Sequence, residues 1–212
     1  VPTSTPNATP NPTPTPTEVV SYTTIPDSNF EQRLIDLGYD TAPIDGQVPT
    51  DNISGLTTLT VNNENVSDLT GIEDFTALEY LNCRSNQLTS LDVSNNTTLT
   101  NLSCHSNQLT SLDVSNNTAL TDLNCRSNQL TSLDVSTNTA LTDLYCHSNQ
   151  LTSLDVSNNT TLTNLSCFNN QLTSLDVRNG NNSIIETFDT TNNPNLTCIY
   201  VDDADYSNAN WP

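Results

Sequence analysis

From Leu88 the chain repeats itself every 21 residues. LTSLDVSNNTTLTNLSCHSNQ (88–108) is followed by LTSLDVSNNTALTDLNCRSNQ (109–129), LTSLDVSTNTALTDLYCHSNQ (130–150) and LTSLDVSNNTTLTNLSCFNNQ (151–171). A fifth copy opens at Leu172 and decays after Asp176 and Val177. Self-similarity at a period in the range of about 20–50 residues specifies a solenoid, because one such unit cannot bury its own apolar face and must stack on its neighbours. Each unit holds two similar halves, apolar at their first, fourth and sixth positions and Asn at the ninth. Leu91 and Val93 alternate with Asp92 and Ser94, and Leu102 and Cys104 with Ser103 and His105. That is the period-two pattern of a strand with one buried face. The unit therefore reads as one coil with two short strands, each stacking in parallel on its counterpart. About six coils at ~4.8 Å each make a body roughly 30 Å tall. The expected fold is a β-rich solenoid of stacked coils, with a helical cap at the N-terminal end and little helix elsewhere.

The flanks differ from the repeats. In IPDSNFEQRLIDLGYD (25–40), Ser28 with Glu31 three residues on forms a capping box. Phe30, Leu34, Ile35 and Leu37 give an apolar helix face before Gly38 stops it. Ile184, Ile185, Phe188, Leu196, Ile199, Val201 and Trp211 form an atypical apolar set suited to closing the last coil. Uncapped ends would invite strand addition, so both closures are expected. Residues 1–18 hold six prolines alternating mainly with Thr or Asn, the composition of a polyproline II arm that serves as spacer or O-glycosylated stalk. The chain divides into that arm (1–18), an N-terminal cap (19–55), a solenoid (56–180) and a C-terminal cap (181–212).

The alternation of LxxLDVSxN with LxxLxCxxN resembles the leucine-rich-repeat family, in particular the bacterial 21-residue nested type, over roughly residues 56–180. The segment 66–87 is one residue longer and looks more like an internalin-type repeat. Gly180 stands where earlier copies have Asn96, Asn117, Asn138 and Asn159, and the pattern is expected to end there. The resemblance implies a secreted bacterial surface protein, extracellular or held at the cell surface.

Charge narrows the functions. Asp and Glu number 24 against four Arg and no Lys, for a net charge of -20. Such a chain cannot neutralise a row of phosphates, which argues against nucleic acid, and it is repelled by an anionic membrane leaflet. No apolar run approaches the ~20 residues of a membrane span. The six cysteines form no CxxC pair and hence no zinc or thioredoxin-like signature. Cys83, Cys104, Cys125, Cys146 and Cys167 fall in one inward column, where small thiols fill a core. Cys198 lies outside it and is the one candidate for a disulfide. Cys104 and His105 are adjacent on a strand and so face opposite ways, as do Cys146 and His147; no nucleophile and base meet, and no catalytic residue is expected.

Stacking turns each repeat position into a file of equivalent side chains. Asn86, Asn107, Asn128, Asn149 and Asn170 sit where the coil bends and can satisfy backbone groups left unpaired there. Asp92, Asp113, Asp134, Asp155 and Asp176 form an outward acidic file. It is either solvated with help from Ser and Thr hydroxyls or bridged by calcium, the one cofactor worth testing. The positions beside the inward cysteine vary between copies and collect Arg84, His105, Arg126, Tyr145, His147 and Phe168, residue types that anchor interfaces. Candidate glycosylation acceptors are Asn7, Asn52 and Asn65 in Asn-x-Ser/Thr sequons, Thr41 and Thr190 in Asp-Thr-Ala and Asp-Thr-Thr, and the arm's Thr3, Thr5, Thr9, Thr13, Thr15 and Thr17.

Two functions fit. One is a non-catalytic structural subunit that forms surface arrays or filaments with other copies of itself, head-to-tail or through the arm. The other is an adhesin-type module whose variable strip grips a surface protein or a glycan.

Overall fold

A computed structural model describes residues 20–211 of the chain, so the Pro/Thr arm and its candidate acceptors lie outside the described residues. The chain enters through β1 (Tyr22–Thr24), helix α1 (Ser28–Asp36) and β2 (Gln47–Pro49), with β1 and β2 antiparallel. The coils then contribute β3 (Thr58–Thr60), β4 (Tyr80–Asn82), β5 (Asn101–Ser103), β6 (Asp122–Asn124) and β7 (Asp143–Tyr145). There follow β8 (Ser153–Asp155), β9 (Asn164–Ser166), β10 (Ser174–Asp176), β11 (Thr187–Asp189), β12 (Cys198–Tyr200) and helix α2 (Ala204–Asn210).

The cysteine halves of the repeats build a seven-stranded parallel sheet in the order β11-β9-β7-β6-β5-β4-β3. The stack is taller than the six coils the repeat count suggests, because the Leu59 and Phe188 segments add strands at either end. Leu81, Leu102, Leu123, Leu144 and Leu165 are in register at the strand centres and buried. Their neighbours point outward, as alternation requires.

The LDV halves behave differently. Only β8, β10 and β12 pair as strands on that side, plus one isolated bridge between Asp92 and Asp113. Two strands per coil, expected throughout, occur only toward the C-terminal end. Leu133-Asp134-Val135 has the same residues as Leu154-Asp155-Val156, so local sequence is not the cause. Burial of the equivalent leucines gives the reason. Leu91 is half-buried, and exposure then falls from 8% at Leu112 through 7% at Leu133 and 3% at Leu154 to 0% at Leu175. Strand pairing on this side accompanies the deeper burial of Leu154 and Leu175.

Two asparagine ladders hold the corners. Asn107 Nδ2 donates to the carbonyls of Cys83 (3.0 Å) and Cys104 (2.9 Å), while its Oδ1 accepts the Leu88 N–H (3.1 Å). One amide thus spans two coils, and Asn128, Asn149 and Asn170 do the same. It steadies a corner where Ser106 takes a left-handed φ of 57°, a conformation unfavourable for a residue with a Cβ. In the second ladder, fully buried Asn117 donates to Val93 O (2.9 Å) and Asn96 O (2.8 Å). This ladder does not stop at Gly180: Asn179, one position earlier, donates to Asn159 O at 3.0 Å.

The N-terminal closure corrects one sequence expectation. Asp27, not Ser28, caps α1: its Oδ1 accepts the N–H groups of Asn29 and Phe30. Its Oδ2 takes the N–H and hydroxyl of Ser67 and the N–H of Asp68, tying the helix to the first coil. Glu31, assigned to the capping box, is instead fully buried and accepts the Asp45 and Gly46 N–H groups. At the other end Trp211 stacks on Phe188 with ring centroids 4.2 Å apart, and Leu196, Ile199 and Val201 are only partly buried.

Candidate functional site

The outward face of the seven-stranded sheet gathers all six residues of the variable strip. Backbone bonds from Ser85 N–H to His105 O, Ser106 N–H to Arg126 O, Ser127 N–H to His147 O and Ser148 N–H to Phe168 O set them one coil apart. Arg84, His105, Arg126, His147 and Phe168 therefore form one file. Tyr145 stands in the adjacent file between Asn124 and Ser166. The rings of His147 and Phe168 stack at 4.1 Å with planes 13° apart. His105 is 7% exposed, with Nδ1 3.0 Å from Ser106 Oγ.

Burial, and after it the two guanidiniums, set the electrostatics of the file. Burial pushes the His105 imidazole down to about 4, reinforced by the charges of Arg126 and Arg84 and by His147. His147 is lowered too, by burial and then by Arg126. Both rings are neutral at physiological pH, which leaves Arg84 and Arg126 as the charges of the file. The other two Arg residues have carboxylate partners: Arg33 with Glu64 at 3.5 Å and Arg178 with Asp176 at 2.5 Å. Among the described residues Arg84 and Arg126 have none.

Two carboxylates on this face escape the repeat comparison. Asp122 and Asp143 are directly in register. Burial and the neighbouring Asp143 charge raise the Asp122 carboxyl above its ordinary value. Asp143 accepts hydrogen bonds from Asn164 Nδ2 (2.7 Å), Thr142 Oγ1 (2.7 Å) and the Tyr145 hydroxyl (3.3 Å). Burial, followed by the Asp143 charge, raises the Tyr145 phenol. The available signal was the alternation Asn101, Asp122, Asp143, Asn164 at one repeat position, which variability between copies marks as surely as it marks the strip.

The cysteine column is interior. Cys83, Cys104, Cys125, Cys146 and Cys167 are fully buried and free, and burial pushes Cys83, Cys125 and Cys167 up to about 12. Thiols so placed stay protonated and are not nucleophiles at neutral pH. Cys198 is free and exposed, with no disulfide among the described residues.

The aspartate file lies on the LDV side. Asp92, Asp113, Asp134 and Asp155 each accept the N–H of the serine two residues on, at 2.9 Å. Those serines hold Asp92, Asp113 and Asp134 below the usual carboxylate range. Asp176 is held low by Arg178. Two clefts open on this side, of about 300 Å³ beside Asp68, Glu73 and Asp92, and about 350 Å³ beside Asp134, Asp155 and Asn158. Among the described residues no three His, Cys, Asp or Glu side chains converge to hold a metal ion. Of the glycosylation candidates, Asn52, Asn65 and Thr41 are exposed and Thr190 is half-buried. The Asn52 amide donates to Tyr39 O. Among the described residues no helix is long and apolar enough to cross a membrane.

Comparison with known proteins agrees with this architecture. No family model matches the chain. Internalin J of Listeria monocytogenes is 46% identical over 72 residues, 34% of this chain and 8% of that protein. The solved functional domain of InlJ from Listeria monocytogenes, which includes a cysteine ladder, superposes with a TM-score of 0.70 at 36% identity. That match covers 85% of this chain and 47% of the InlJ chain, so the present chain spans about half the length of that domain. Internalin C2 of Listeria monocytogenes shares the fold at 20% identity, with a TM-score of 0.56 over 90% of this chain and 95% of the other. The buried cysteine column, the two asparagine ladders and the parallel strand in every coil give the chain the leucine-rich-repeat fold that it shares with the InlJ domain.

Proposed function

We propose that the chain is a non-catalytic extracellular binding module that grips a partner protein with the outward face of its seven-stranded sheet. The observation that carries this reading is the collection of two guanidiniums without a carboxylate partner among the described residues, a stacked His147–Phe168 pair and Tyr145 on one face of repeats that otherwise present mainly Asn, Ser, Thr and Asp. Arg and aromatic side chains concentrate the binding energy of protein interfaces, and here a rigid ladder holds them in place before any partner arrives. Asp122 and Asp143, side by side, offer a cationic side chain of the partner a counter-charge. The likeness to Internalin J and to the InlJ functional domain supports an interaction role and a place outside the cell.

Binding of the labelled chain to a panel of purified surface proteins tests the reading. A binder found there should lose at least tenfold in affinity with Tyr145→Ala combined with Phe168→Ala, and again with Arg84→Glu combined with Arg126→Glu, at unchanged melting temperature. Undiminished affinity in both variants removes the strip from the interface. The parallel reading, a subunit that assembles with its own kind, is favoured by a separate charge pattern.

A further inference from the structure

We propose that a second copy of this chain is a partner of the strip, presenting its aspartate file to Arg84 and Arg126. The inference rests on the strip being a contact surface and names one occupant for it. In a chain of net charge -20 with four Arg, two guanidiniums without a carboxylate partner among the described residues are the exception to be explained. They stand in one file with His105 between them, two coils or about 9.6 Å apart at the strand spacing of a sheet. On the other side of the coil the aspartates repeat with the same coil, so carboxylates two coils apart match that separation within the reach of a flexible arginine.

The file also limits the register. Asp176 already binds Arg178, which leaves Asp92 with Asp134, or Asp113 with Asp155, to face Arg84 and Arg126. The serine N–H bonds fall on Oδ1 of each of these aspartates, so no backbone bond occupies Oδ2 among the described residues. The cleft of about 350 Å³ beside Asp134 and Asp155 gives an arginine head room to enter between coils. Charge-assisted bonds of this kind are the stronger class of hydrogen bond. The contact joins the strip of one copy to the back of the next, so it does not close on itself and extends into rows of copies. Repulsion between two strongly acidic bodies opposes the encounter at low salt, but its range is about 8 Å at physiological ionic strength, and the paired groups lie well inside that distance. Association is therefore weak and requires physiological rather than low salt.

Sedimentation velocity of the full chain at physiological salt, from about 10 μM to 1 mM, tests this in the range of weak contacts. Weight-average mass should rise with concentration. The combined variant D92N, D113N, D134N and D155N keeps the acceptor for each serine N–H, and is four units less negative than the -20 of this chain. General repulsion predicts that it associates more, whereas the proposed contact predicts at least a tenfold loss. Arg84→Glu with Arg126→Glu should lose association too. Mixing that variant with a chain carrying Asp92→Arg, Asp113→Arg, Asp134→Arg and Asp155→Arg should restore it, in alternating order. A chain monomeric throughout, a neutral-file variant that associates as well as its parent, or a mixture that stays monomeric overturns the inference. The neutral-file variant retains the strip, so its binding to a foreign protein is unchanged. Loss of self-association with intact foreign binding therefore separates this contact from the strip's general role.

Discussion

Each coil carries the same half-motif on two sides, and the two sides fold to different tolerances. On the cysteine side Leu102, Leu123 and Leu144 are buried at the centre of strands that pair in unbroken order, and outward positions vary between copies. On the LDV side the outward Asp recurs in every copy, yet strands form only where Leu154 and Leu175 are most deeply buried. Regular pairing is what lets a surface vary: once Leu, Cys and Asn fix the coil, the residues between them are released for other uses. The looser side depends more on its own residues, since Asp92, Asp113 and Asp134 each bond the serine N–H that shapes their turn.

Removing a core leucine from each side should expose the difference most strongly. Leu123→Ala empties a fully packed site between two paired strands and should cost about 4 kcal/mol, near the upper end for such truncations. Leu133→Ala, at a site that already borders a cleft, should cost about 2 kcal/mol. Urea denaturation of the two variants checks the order, and equal losses would erase the distinction between the sides. The corner ladders give the next largest contrast. Asn128→Ala strands the buried Leu109 N–H and should cost about 2–3 kcal/mol, against about 1–2 kcal/mol for Asn117→Ala, after which the Val93 and Asn96 carbonyls each keep a backbone donor.

These contrasts show where the sequence was readable. The 21-residue period, the inward leucines and cysteines and the Asn107 ladder follow from which side chains recur and at what spacing. The strip was legible by the opposite sign, since Arg84, His105 and Phe168 break a monotonous pattern. What could not be read depends on distant partners. Ser28 and Glu31 satisfy the capping-box spacing, but Asp27 wins the cap because Ser67 and Asp68, a coil away, bond its second oxygen. Glu31 is drawn inward by the Asp45 and Gly46 N–H groups. The unequal pairing of Leu133-Asp134-Val135 and Leu154-Asp155-Val156 is invisible in principle, because the two segments are identical and only their place in the stack differs.

A smaller effect should appear on acidification. His105 has a folded value of about 4 against 6.5 unfolded, so between those values the unfolded chain binds the extra proton. Its contribution to stability is complete above pH 6.5 and is lost as pH falls toward 4. His147, also lowered, acts in the same direction. Asp27 adds a later loss. Burial pushes its carboxyl up, but the bonds from Ser67, Phe30 and Asp68 outweigh that and hold it below 3.8, so its share disappears as pH falls through that lower value. Replacing both histidines with Gln should reduce the fall in melting temperature between pH 6.5 and 4 by about 2–4 °C. A slope that survives the double replacement assigns the acid sensitivity to other groups.

The smallest stability change should come from Arg126→Ala, and it is the most informative about the strip. Arg126 is half-buried and, among the described residues, has no carboxylate partner, so at pH 7 its removal should move stability by no more than about 0.5 kcal/mol. It does depress both neighbouring imidazoles, and without it His105 and His147 should titrate closer to their ordinary value, which NMR can follow ring by ring. Part of the acid sensitivity would then vanish while the melting temperature at neutral pH stays in place. A large fall in neutral-pH stability would instead mean that the guanidinium holds the sheet together and is not free to meet a partner. The variable face would then be as much a part of the scaffold as the side opposite.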